Sequence, residues 1–97
     1  MIIKVTKNDI KKGVCKNNSY CPIALAVIRQ TKLKGYVSCE RIELYNGEFA
    51  SECKKLPRSA RRFIDRFDAK KKVKPFNFRL PFKKVELEKL KEVNNVT

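Results

Sequence analysis

The chain has no histidine, and only 10 of its 97 residues are Asp or Glu. The missing imidazole removes the commonest general base and the commonest metal ligand. Expectation therefore moves from catalysis to binding. There is no glycine-rich phosphate loop and no histidine-based dyad or triad. Apolar runs are short: the longest, residues 22–28, falls far below a membrane span. The opening Met1-Ile2-Ile3-Lys4 carries no apolar signal region, so the expected location is the cytoplasm.

Closely spaced cysteine pairs are also lacking. Cys15, Cys21, Cys39 and Cys53 do not form the C-x₂₋₄-C pairs of zinc ribbons, and a reducing cytosol disfavours disulfides. The sequence predicts free thiols. Cys21 and Cys39 are expected in apolar or strand-like surroundings, where cysteine acts as a small hydrophobe. A zinc module built on the four thiols is the weakest reading, and no metal or cofactor is expected.

What the chain does have is positive charge. Twenty-four residues are Lys or Arg, a formal charge of +14, against the magnitude of roughly 2–8 that solubility asks of a small domain. The surplus is segregated. Residues 1–34 hold eight basic side chains against one acid, and residues 57–81 hold nine against two. Residues 35–56 hold three against four, and residues 82–97 four against three. Two basic blocks thus flank a neutral middle.

With 42% hydrophobic residues the chain can fold as one small domain. Residues 2–5 read as a strand with Ile3 and Val5 on one face. Thr6 suits an N-cap for a short helix ending at Lys12, with Gly13 as its stop. Pro22 suits the first position of a helix. That helix is apolar nearly all round until Arg29, so it should lie centrally, with Gly35 as a terminator. Residues 36–45 and 48–53 read as strands joined by a two-residue Asn46-Gly47 turn. In that register Leu44 faces Phe49 and Arg41 faces Glu52. The alternation changes phase between Cys39 and Ile42, which a bulge near Glu40 would absorb.

Pro57 opens another helix, running to about Asp68, whose buried stripe is Ala60, Phe63, Ile64 and Phe67. A basic linker over residues 69–74 leads into a strand over residues 73–80, with Phe76, Phe78 and Leu80 on its core face. Pro75 marks the strand start or an edge. Residues 83–94 read as a short charged helix with only a thin apolar stripe, Leu87, Leu90 and Val93. The order β-α-α-β-β-α-β predicts an α+β fold: a small, mostly antiparallel sheet with helices on one face. Residues 1–81 make the domain, and residues 82–97 a charged C-terminal helical appendage.

The strongest candidate site is Arg58, Arg61, Arg62, Arg66, Lys70, Lys71, Lys72 and Lys74. Arg58, Arg62 and Arg66 rise four apart along one side of the helix. Like charges at that spacing repel, so this spacing gives no pairing within the helix. The planar arginine fork suits phosphate oxygens. Lys7, Lys11 and Lys12, with Lys4 and Lys16, would add salt-dependent attraction without sequence readout. The phenylalanines of residues 76–80 continue an apolar period and are expected in the core. Glu40, Glu43, Glu48 and Glu52 fit exposed strand positions.

Three segments together carry a resemblance. They are Val5-Thr6 with Asp9-Ile10 and Gly13; Cys21-Pro22-Ile23-Ala24-Leu25-Ala26; and Leu56-Pro57 with Ala60-Arg61-Arg62-Phe63-Ile64, Phe67-Asp68 and Val73-Lys74-Pro75-Phe76. The pattern resembles a group of small phage- and prophage-borne proteins of no assigned activity. The resemblance implies a phage context, hence a host cytoplasm, and brings no catalytic residues with it.

The sequence thus favours a nonenzymatic nucleic-acid-binding protein that grips the phosphate backbone of DNA or RNA without strong sequence specificity, and no membrane association. Its rival is a module that binds and modulates an acidic host or phage protein, a defence or replication factor, through the same charge.

Overall fold

A computed structural model describes residues 1–46 and 50–93. The fold is α+β, with five strands and four helices among the described residues, in the order β-α-α-β-β-β-α-β-α, because the one strand expected over residues 36–45 is two. β1 (Ile2–Val5) pairs antiparallel with β5 (Phe76–Arg79), and β2 (Lys34–Val37), β3 (Arg41–Asn46) and β4 (Ala50–Lys55) form an antiparallel meander. The single sheet expected from the sequence is therefore two small sheets. One core spans both, with Ile3 and Phe78 from the first and Val37, Ile42 and Leu44 from the second.

α1 (Lys7–Lys12) begins at a capping box. The Asp9 amide donates to the Thr6 hydroxyl at 3.2 Å, and the Thr6 amide donates to the Asp9 carboxylate at 2.9 Å. Gly13 closes the helix, though not through a left-handed backbone, since its φ is −65°. Space is the reason for glycine here: a Cβ would lie 2.5 Å from Cδ and Cγ of Pro22.

α2 (Pro22–Thr31) is the central helix, contacting α1 and both sheets. Ile23, Ala24, Ala26 and Val27 are fully buried. The buried Thr31 hydroxyl donates to the Val27 carbonyl at 2.7 Å and accepts from the Leu33 amide at 3.1 Å, so it carries no unmet polar demand. The helix ends at Lys32 in the left-handed region, φ 65°, and not at Gly35. Gly35 is instead a buried strand residue, where an added Cβ would meet Val27 at 3.5 Å.

The expected bulge in residues 36–45 is a full reversal. β2 ends at Val37, which pairs with Ile42, and the Ser38 amide donates to the Arg41 carbonyl at 2.9 Å. The phase change therefore marks a turn at residues 39–40, and Cys39 is exposed there instead of strand-bound. The β3–β4 register also differs from the expected one. Leu44 faces Glu52 and Arg41 faces Lys55. A two-residue loop at Asn46-Gly47 does not fit this register, in which Asn46 faces Ala50. Gly47, Glu48 and Phe49 lie outside the described residues. Leu56 supplies the physical reason: its amide donates to the Glu40 carbonyl at 2.8 Å and its side chain is buried on the face shared with Ile42 and Leu44. A shift of odd parity would turn Leu56 outward.

α3 (Arg58–Asp68) buries Ala60, Phe63 and Ile64 as its spacing predicts. α4 (Lys84–Val93) packs against β3 and β4. Phe82, Leu87 and Leu90 of the segment set apart as an appendage belong to the common core. Two polar contacts secure this helix: Asn46 Nδ2 donates to the Leu90 carbonyl at 2.7 Å, and Lys54 Nζ meets Glu86 at 2.9 Å. The side chain of Val93 lies outside the description.

Candidate nucleic-acid interface

α3 presents its arginines because its other side is apolar. Phe63 and Ile64 turn inward, and Arg58, Arg62 and Arg66 form an exposed ridge. Arg61 is different. By helical spacing it sits on the flank of Asp65 and Asp68, it is half-buried, and its Nε is enclosed without a hydrogen-bond partner. The eight basic side chains of residues 58–74 make no ion pair with any carboxylate among the described residues. The two ion pairs found there are Arg29–Asp9 and Lys54–Glu86.

The chain reverses after α3 by a Schellman stop. The Lys71 amide donates to the Arg66 carbonyl at 2.9 Å and the Lys70 amide to the Phe67 carbonyl at 3.0 Å, with Lys70 left-handed at φ 60°. This reversal carries residues 72–76 back along the helix. A groove of about 310 Å³ opens between them, lined by Ser59, Phe63, Arg66, Lys72, Val73, Lys74, Pro75 and Phe76. Three sequence-predicted cations converge there, and no acid lines it. Its floor is apolar and belongs to a run of near-parallel phenylalanine rings. Phe63 lies 6.1 Å from Phe67 and 4.7 Å from Phe76, and Phe76 lies 5.8 Å from Phe78, between ring centroids.

Two contacts bring the N-terminal basic block against this region. The Cys15 thiol donates to the carbonyls of Phe67 at 3.5 Å and Asp68 at 3.3 Å, and the Lys16 amide donates to the Asp68 carboxylate at 2.9 Å. Lys16 is therefore held beside the lysine run at the end of α3. At the other point Val5 faces Phe76, so Lys7 and Lys74 leave the same end of the β1–β5 ribbon. Lys11 and Lys12 are exposed on the last turn of α1 and do not line the groove. Arg58 and Arg62 continue the ridge beyond Arg66, also outside it.

Sequence reasoning assigned the phenylalanines to the core, which holds for Phe78 and Phe63, both under 10% exposed. It missed Ser59, Val73, Pro75 and the half-buried Phe76 as groove residues. The available signal was Pro75 beside Lys74: a strand start without an amide donor, next to a cation.

Cys15, Cys21, Cys39 and Cys53 are all free thiols, and among the described residues no three Cys, Asp or Glu side chains gather as metal ligands. Among those residues no helix is long and apolar enough to cross a membrane. Comparison with family models, curated proteins and solved structures gives no match.

Proposed function

We propose that this chain is a nonenzymatic nucleic-acid-binding protein whose α3 ridge and following lysine segment hold the phosphate backbone. The observation that carries the reading is the convergence of Arg66, Lys72 and Lys74 on one groove that no acid lines. Unpaired cations at such spacing attract a polyanion and release its counterions on binding. The Lys16 amide bound to Asp68 supports the reading by holding one residue of the N-terminal block beside the end of α3.

Backbone geometry lends further support. The three non-glycine residues with positive φ among the described ones are Lys16, Lys32 and Lys70. Glycine would sit in each at lower conformational energy by roughly 1 kcal/mol. Lysine at such a position keeps a charge at the expense of stability. The phage setting and host cytoplasm that we propose with this function rest on the resemblance carried together by residues 5–13, 21–26 and 56–76.

The test is a salt titration of DNA and RNA binding by the wild-type chain and by the triple variant Arg66→Gln, Lys72→Gln, Lys74→Gln. Log affinity should fall linearly with log salt, and the variant should lower the slope by roughly two to three. Absence of binding at low salt would remove the proposal. A partner captured from lysate that survives nuclease treatment would favour the acidic-protein reading instead.

A further inference from the structure

We infer that the groove between α3 and residues 72–76 takes one unpaired nucleotide, with its base against the Val73–Phe76 floor and its flanking phosphates on Arg66, Lys72 and Lys74; this rests on the nucleic-acid reading. Three observations carry it.

The first is size. About 310 Å³ lies at the bottom of the range of small-molecule pockets, roughly 300–1,000 Å³. It has room for one flat ring system.

The second is the pairing of an apolar floor with a cationic rim. Phe63 is buried beneath, Val73 and Phe76 are half-buried, and Pro75 is exposed beside them. Arg66 stands on one wall, and Lys72 and Lys74 on the other. A bare phosphate makes no use of an apolar floor. A duplex keeps its base faces inside the stack and offers only backbone and groove edges. Only an unpaired strand brings a flat apolar face with phosphates on either side of it.

The third is the pattern along the segment. Lys72 and Lys74 are exposed while Val73 between them turns partly inward, and Phe76 turns partly inward again. Charge and apolar surface therefore alternate along an extended stretch, as a strand of linked bases and phosphates does.

The test is fluorescence anisotropy of the full chain with labelled oligothymidylate, oligouridylate and a duplex, each of roughly 16 nucleotides or base pairs. The unpaired strands should bind roughly tenfold tighter than the duplex at equal salt. Comparison of the DNA and RNA arms reads whether the sugar matters. Phe76→Leu keeps an apolar side chain against Phe63 and Phe78, and should remove most of that preference while leaving the salt slope unchanged. Val73→Thr, on the same floor but outside the phenylalanine run, should act in the same direction, and serves where Phe76→Leu does not fold. A duplex bound as tightly as the unpaired strands, with both floor variants silent, would overturn this inference and leave backbone binding standing. No binding of any of the three at low salt would overturn both.

Discussion

The Asp9 carboxylate and the Arg29 guanidinium meet at 2.8 Å, and the same Arg29 nitrogen donates to the Lys4 carbonyl at 2.9 Å. One pair thus joins β1, α1 and α2. Asp9 is only 5% exposed, yet its Oδ2 also accepts from the Thr6 amide and hydroxyl. Arg29 is the one arginine of the N-terminal basic block, and this contact makes it structural.

Asp9→Ala removes the reciprocal half of the capping box and the partner of Arg29, and leaves the Thr6 hydroxyl to cap the residue-9 amide. The expected loss is about 2 kcal/mol, since the bonds lost are to a buried carboxylate while Arg29 stays partly solvated. Urea denaturation should show a lower midpoint with an unchanged slope. Binding to a polyanion at low salt should not weaken while the variant is folded.

Lys70→Gly should act in opposite directions on stability and binding. Relief of the left-handed backbone at φ 60° should raise stability by about 1 kcal/mol. Loss of the charge should lower the salt slope by about one. Thermal melts and salt titrations of the same preparation check both. A variant neither more stable nor less salt-sensitive would contradict the account of this turn.

The Lys54–Glu86 bridge sets a pH window. Glu86 is held below its ordinary value of 4.5 because it accepts from the Lys83 amide and faces the Lys54 ammonium. Lys54 is held above its ordinary value of 10.5 by its hydrogen bond to Glu86. A lowered acid stabilises above its unfolded value, and that contribution fades as pH falls through the folded one. A raised base stabilises below its unfolded value, and that contribution fades as pH rises through the folded one. The bridge should therefore help between about pH 4.5 and 10.5. The melting difference between wild type and Glu86→Gln should be greatest near neutrality and shrink at both extremes.

Thiol reactivity should follow burial. Cys39 and Cys53 are exposed, while Cys21 is buried and its thiol is pushed above 9.0 by desolvation. Iodoacetamide followed by mass spectrometry should label Cys39 and Cys53 in the native protein, and Cys21 only after denaturant is added. Early labelling of Cys21 would show that the start of α2 opens readily.

The elements legible in the sequence are those whose cause is local. Thr6 caps α1 with its own side chain, Pro22 starts α2, and the Ala60, Phe63, Ile64 stripe places α3. The reversal at residues 39–40 was misread although its cause is local too: Val37 pairs with Ile42, and the Arg41 amide donates to the Ser38 hydroxyl at 3.0 Å. The register of β4 depends on distant partners, because it follows Leu56 entering a core that α2 and α4 complete. Leu87 and Leu90 form too thin a stripe to announce a buried helix, and it is the sheet face beneath them that makes the burial worthwhile.

Net charge, its division into two blocks and the outward ridge of Arg58, Arg62 and Arg66 are properties of composition and helical spacing, and the sequence alone determined them. The meeting of Arg66 with Lys72 and Lys74, and of Lys16 with the end of α3, was decided by the tertiary structure. Helical periodicity orders neighbours three or four positions apart, whereas a reversal at Lys70 and a carboxylate reached across 52 residues of chain arise only when the packed core brings those segments together.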